Sequence, residues 1–133
     1  MFNQSRVAAM LPAQDLERAK AFYRDKLGLT PTQEDPGGVL YQMAGGTGFG
    51  VFRSGGTPSG THTQMALEVG DLEQAVKDLR SKGVRFEDYD TPGLKTVGGI
   101  ANVGGTKAAW FKDSEGNVVG LGLPVPVAAK ARA

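Results

Sequence analysis

The same helix opening occurs twice in this chain, and that repetition constrains its fold more than any other feature. Asp15-Leu16-Glu17-Arg18-Ala19 and Asp71-Leu72-Glu73-Gln74-Ala75 lie 56 residues apart, and each run closes on a glycine, Gly28 in the first and Gly83 in the second. An Asp at such a position takes a backbone N–H that has no partner inside the helix, and a Glu two residues on faces the positive end of the helix dipole. Helices are therefore predicted to begin at Asp15 and Asp71. In the second copy Leu72, Ala75, Val76 and Leu79 recur at helical spacing, and Leu16, Ala19, Tyr23 and Leu27 trace a similar stripe in the first. Each helix has one face to bury. Two modules of roughly sixty residues follow from the offset.

A chain of 133 residues forms one compact domain or two very small ones and buries about two thirds of its unfolded surface, so it needs no covalent staple. It has none to offer: there is no cysteine, hence no disulfide, thiolate nucleophile or thiolate metal site, and only one histidine. Fifteen basic and fourteen acidic residues are interspersed, giving no field that would gather nucleic acid or anionic lipid. Neither is an expected partner. The early apolar run at residues 7–11 is too short to span a bilayer and lacks a basic leader, so no membrane association and a cytoplasmic location are expected.

Taken in order, residues 6–11 read as a strand buried on both faces and ended by Pro12. After Gly28 come three short strands, at 29–34, 39–43 and 49–53, separated by Asp35-Pro36-Gly37-Gly38 and Ala44-Gly45-Gly46. The first module is thus β-α-β-β-β over residues 5–53. A linker at 54–60, rich in Gly, Ser, Thr and Pro, precedes a strand at 62–69. There Met65, Leu67 and Val69 are apolar on one side and Gln64 and Glu68 polar on the other. Following the second helix, residues 85–89 read as a strand, 91–105 as a glycine-rich connection, and 107–113 with 118–123 as a hairpin across Ser114-Glu115-Gly116-Asn117. The second module spans 61–124. Gly98-Gly99 and Gly104-Gly105 match no phosphate-loop spacing and are expected to form a mobile flap. Asp113 to Asn117 is too short for a calcium loop and suits a turn. Pro124 and Pro126 stop the last strand, and a tail at 125–133 is expected to fray.

Two β-α-β-β-β modules, with DLERAKAFYRDKLGL in the first and AWFKDSEGNVVGL closing the second, resemble the vicinal oxygen chelate superfamily. This is the group of glyoxalases, bleomycin resistance proteins and extradiol dioxygenases. The likeness covers residues 5–124. It implies an α+β fold of two tandem modules whose mixed sheets curl into a cup, with the helices outside and a small ligand inside, and it implies a homodimer. Metal-bearing members hold their ion on four side chains drawn from His, Glu and Gln, one on the first and one on the last strand of each module. The matching positions here are Ala8, Gly50, Gln64 and Gly120. Three of the four offer no donor, and one amide oxygen cannot hold a divalent cation that wants three or more protein ligands. No cofactor is expected; a divalent metal enters only if its ligands lie at positions that do not align. The side-chain-free glycines are expected to leave the floor of the cup open for an organic molecule.

The ligand site expected from this reading comprises Met10, Tyr41, Phe52, Gln64, Glu68 and Trp110, an apolar and aromatic lining suited to a small hydrophobic or aromatic molecule, with two polar handles. Each aromatic residue is equally at home in an ordinary core facing the helices. Glu68 is a candidate general base if burial raises its pKa. His62, two residues from Gln64, is the other catalytic candidate, although a strand end after a Thr- and Gly-rich linker is an ordinary place for a solvated imidazole. Three functions stay open: a metal-free binding protein of bleomycin-resistance type; a lyase, isomerase or dioxygenase with an unaligned metal site; and a dimer that acts through its surface while its pocket is vestigial. Fold does not choose among them.

Overall fold

The computed structural model describes residues 1–124. Among them the order is β1 (Ala9–Ala13), α1 (Leu16–Leu27), β2 (Gln33–Asp35), β3 (Gly38–Gln42), β4 (Gly48–Arg53), β5 (Thr63–Glu68), α2 (Leu72–Ser81), β6 (Asp90–Thr91), β7 (Leu94–Val97), β8 (Ile100–Val103), β9 (Thr106–Lys112) and β10 (Val118–Gly122). The class is α+β. One sheet has four strands in the order β1-β4-β3-β2, the other six in the order β5-β10-β9-β8-β7-β6. Two compact units divide the described chain: residues 1–65 with 112–118, and residues 66–111 with 119–124. The stop at Pro126 and the tail expected at 125–133 lie outside the described residues.

Both repeated motifs act as caps. Asp15 accepts the Arg18 N–H at 3.0 Å and Asp71 the Gln74 N–H at 3.0 Å, each relieving a helix end of one unpaired donor. Gly28 closes α1 with φ 70°, a left-handed conformation that glycine adopts without a Cβ penalty. The predicted stripes are buried at Leu16, Ala19 and Tyr23 in α1 and at Leu72, Val76 and Leu79 in α2.

In the first unit β1 runs parallel to β4, with Met10 opposite Gly50, and β3 runs antiparallel to β4, with Leu40 opposite Gly50. The face toward α1 buries Leu11, Ala13, Val39, Tyr41, Phe49 and Val51. Tyr23 of α1 meets Tyr41 and Phe49 with ring centres 5.6 and 5.5 Å away, and Tyr41 stacks on Phe49 at 4.7 Å. β1 is buried on this side only, not on both as expected: Met10, on the other face, is exposed among the described residues. Pro12 also sits inside β1, opposite Phe52, instead of ending it. As the edge strand of its sheet, β1 tolerates the missing N–H there.

The second module carries more strands than its predicted pattern. The glycine-rich stretch expected as a flap folds into β7 and β8, joined by Gly98-Gly99, and passes to β9 through Gly104-Gly105. All four glycines have positive φ, at 60°, 81°, 58° and 81°. A two-residue hairpin turn whose twist matches its strands requires this at both central positions, so paired glycines are a hairpin signal. The strand predicted at 85–89 reduces to one bridge between Phe86 and Phe111. Beyond it the Tyr89 N–H goes to the Thr96 hydroxyl at 2.9 Å, a side-chain bond that replaces a ladder partner.

The β9–β10 turn belongs to the first unit, and its polar side chains explain why. Asp113, only 6% exposed, accepts the Tyr23 hydroxyl at 2.7 Å, the N–H groups of Glu115 and Asn117 at 2.8 and 3.0 Å, and the Asn117 amide at 2.9 Å. The same amide nitrogen donates to the Pro12 carbonyl at 3.0 Å. Glu115 receives Arg18 Nε at 2.7 Å and Nη2 at 3.0 Å, together with the Asp15 N–H at 3.1 Å. A buried carboxylate needs such partners, since an unpaired one is strongly disfavoured. Burial, with the Asp113 charge second, pushes the Tyr23 phenol far above its ordinary value, so it stays a donor.

Replacing Tyr23 with Phe removes one donor from a buried carboxylate and is expected to cost roughly 1–3 kcal/mol in a urea melt. Glu115 gives a pH signature. Its carboxyl is lowered to about 2 from 4.5, chiefly by the Arg18 hydrogen bonds. The stabilisation is therefore complete above about pH 5 and disappears as pH falls toward the folded value. Glu115→Gln is expected to lower stability at neutral pH by about 1–2 kcal/mol, a figure discounted because Arg18 is half exposed. The gap to the native protein should close as stability is measured at successively more acidic pH.

Candidate functional site

Strand alternation separates the two faces of the first sheet. While Val39 and Tyr41 are buried toward α1, Leu40 and Gln42 point the other way and are exposed. On that open face Met10 is 52% and Leu40 41% exposed. Met10 on β1 and Leu40 on β3 flank Gly50 of the intervening β4, so this face carries exposed apolar side chains. Phe52, two residues beyond Gly50 on β4, shares the face by parity and is half buried.

Gly50 is what lets that surface close up. A Cβ built there would lie 2.8 Å from Met10 Cε, 2.9 Å from Met10 Sδ and 3.0 Å from a Leu40 methyl. The expectation that this glycine leaves an open floor is corrected: the flexible thioether of Met10, directly opposite in register, already occupies the space.

An open groove of about 470 Å³ runs along the same unit where β1 begins, lined by Arg6, Val7, Ala8, Thr32, Gln33, Leu40, Gln42 and residues 46–49, and bordered by Tyr41. Its volume lies within the range of small-molecule sites. Arg6 is anchored at its rim, Nη2 donating to the Gly46 carbonyl at 2.7 Å. Sequence reasoning reached only Ala8 and Tyr41 of this lining. Leu40 and Gln42 were legible in principle, since they alternate with the apolar Val39 and Tyr41; Arg6 and Gln33 carried no periodic signal.

The remaining expected residues divide. Tyr41 turns its ring away from the open face and is 2% exposed in the aromatic core, so it offers no ring surface to a ligand; its buried hydroxyl has no partner among the described residues. Gln64 is half buried on β5, and its Oε1 is buried without a donor. Glu68 is exposed at the end of the same strand. In the second unit Trp110 alternates with the fully buried Ala109 and Phe111. It is therefore not on the buried side of β9, and its ring meets Tyr89 edge-on at 5.4 Å. Tyr89 was missed because its segment read as an ordinary strand. His62 is exposed and bonds Ser59 Oγ through Nδ1 at 3.1 Å.

At the positions where the resemblance puts metal ligands, Ala8 has no donor atom and Gly50 has Met10 packed where a side chain would begin. Among the described residues no three His, Cys, Asp or Glu side chains cluster so as to hold a metal. Of the four positions, Gln64 alone carries a side-chain donor atom. No helix among the described residues is long and apolar enough to cross a membrane.

Comparison with known proteins adds a family and a fold. The family model described as Glyoxalase/Bleomycin resistance protein/Dioxygenase superfamily matches residues 6–121. The structure of oxidase ChaP-H2 aligns with TM-score 0.68 and 19% identity over 92% of this chain and 95% of its own. TnmS3, an antibiotic binding protein from a Streptomyces species, aligns with TM-score 0.63 and 23% identity over 92% and 98%. A bleomycin resistance determinant encoded on transposon Tn5 aligns with TM-score 0.68 and 20% identity over 90% and 98%. No curated protein matches the sequence.

The Met10–Gly50 contact is open to a coupling test. Gly50→Ala is expected to destabilise by about 1 kcal/mol, because the added methyl must displace Met10 and Leu40. Combined with Met10→Ala the penalty should largely vanish, giving a coupling energy of opposite sign in a double-mutant cycle of urea melts.

Proposed function

Because the chain belongs to the glyoxalase, bleomycin resistance protein and dioxygenase superfamily, we propose that it is a small-molecule-binding protein of that group which works without a metal. The observation that carries this reading is the open face of the first sheet, where Met10 and Leu40 present exposed apolar surface beside a groove of ligand size. The body of a small hydrophobic or aromatic molecule lies on Met10, Leu40 and Phe52. Gln64, half buried on β5, is proposed as the polar handle, its side-chain amide able both to donate and to accept a hydrogen bond. Trp110 and Glu68, expected as further ligand contacts, lie in the second unit. Similarity to an antibiotic binding protein and to a bleomycin resistance determinant supports binding as the activity. The missing donors at Ala8 and Gly50 weigh against an ion-dependent lyase, isomerase or dioxygenase.

Titration with phenylnaphthylamine, a neutral aromatic probe whose fluorescence rises in apolar surroundings, should show saturable binding. Leu40→Asp, a change at an exposed position, should weaken it about tenfold by placing a charge against the ring. Absence of saturable binding would favour the reading in which an oligomer surface acts and the pocket is idle. Stoichiometric zinc, nickel, iron or manganese in native protein, lost together with activity in Gln64→Ala, would restore the enzyme reading.

The protein is also proposed to be a homodimer, in keeping with the edge strands that each sheet leaves. Light scattering at micromolar concentration should give about twice the mass of one chain; a single-chain mass would remove this element of the reading.

A further inference from the structure

The groove at the start of β1 carries a cationic side chain. Of the side chains lining it, one is ionised, Arg6, and no acid faces it from the lining. Arg6 is held at the rim by a single bond to the Gly46 carbonyl, and a guanidinium has five N–H donors in a planar fork that matches a carboxylate, sulfonate or phosphonate. The two threonines of the lining are arranged differently. Thr32 Oγ1 donates to the Leu40 carbonyl at 3.1 Å and Thr47 Oγ1 to the Ala44 carbonyl at 2.6 Å, so their protons are committed and they present lone pairs. Donors for a negative group therefore come from Arg6, with the amides of Gln33 and Gln42 nearby. Leu40 links the groove to the apolar face, lining the one and belonging to the other.

We propose that the groove selects anionic amphipathic molecules, compounds with one carboxylate, sulfonate or phosphonate and an apolar body, with Arg6 holding the anion and Leu40 the body. This rests on the binding function proposed above and adds the ligand's charge. It makes Arg6 a specificity residue. The contribution is electrostatic and at the rim, so it weakens with salt while apolar contact does not.

Two probes that share a ring system and differ by one sulfonate test it: anilinonaphthalene sulfonate and phenylnaphthylamine, titrated into the full chain. The anionic probe is expected to bind about tenfold more tightly at low salt, with the margin shrinking as sodium chloride is raised. Arg6→Gln should bring the two affinities together by weakening the sulfonate alone. Ala8→Trp, a change at an exposed position in the groove lining, should weaken the anionic probe by about tenfold or more while circular dichroism shows the fold retained. Equal affinities in the native protein, a preference that survives Arg6→Gln, or anionic binding untouched by Ala8→Trp would each overturn the inference and leave the binding function standing. Failure of both probes to bind would overturn the binding function and the inference with it.

Discussion

The first unit depends on one buried carboxylate. Asp113 is nearly sealed from water, and its bonds reach the phenol of α1, the amides of its own turn and the side chain of Asn117, which in turn holds the Pro12 carbonyl of β1. A charge in that position is tolerated only while its partners are in place, and together they fix the helix, the edge strand and the turn in one arrangement. Glu115 adds a second tie to the start of α1 through Arg18 and the Asp15 N–H. Two acids that read as ordinary turn residues are thus the polar counterpart of the Tyr23, Tyr41 and Phe49 cluster.

This arrangement cuts across the sequence repeat. The repeat places residues 112–118 at the end of the second module, yet they complete the first compact unit. A stretch of chain joins the unit that satisfies its hydrogen-bonding groups, whichever module encodes it. The separation in sequence is large, with Tyr23 and Asp113 ninety residues apart. The first unit is therefore complete only after most of the chain is present.

The open face of the first sheet follows from what the other face takes. The large rings go to α1, and the strand period of two leaves Met10, Leu40 and Gln42 opposite them. With glycine at position 50, the methionine lies down on the backbone of β4 instead of meeting a polar side chain. Position 8 is an alanine, and position 50 is a glycine covered by the Met10 thioether. The surface that results suits apolar contact, and Arg6 stands at the rim of the groove beside it.

Much of the fold was legible from local patterns. The caps at Asp15 and Asp71, the buried stripes of both helices, the alternation in β5 and the turn after β9 rest on rules that act within a few residues. So did the family, because its two motifs are local. The β7–β8 hairpin was also within reach, had the paired glycines been taken as tight turns and not as a loose connection. Other features depended on distant segments. That Tyr41 turns inward while Met10 stays exposed was settled by which face α1 covers. That Met10 fills the space above Gly50 was settled by the parallel register of β1 and β4, and that Asp113 is buried was settled by Tyr23 arriving beside it. The sequence by itself determined the elements and their chemistry; only the tertiary structure decided which faces and carboxylates are shielded from water, because burial depends on neighbours that local spacing does not encode.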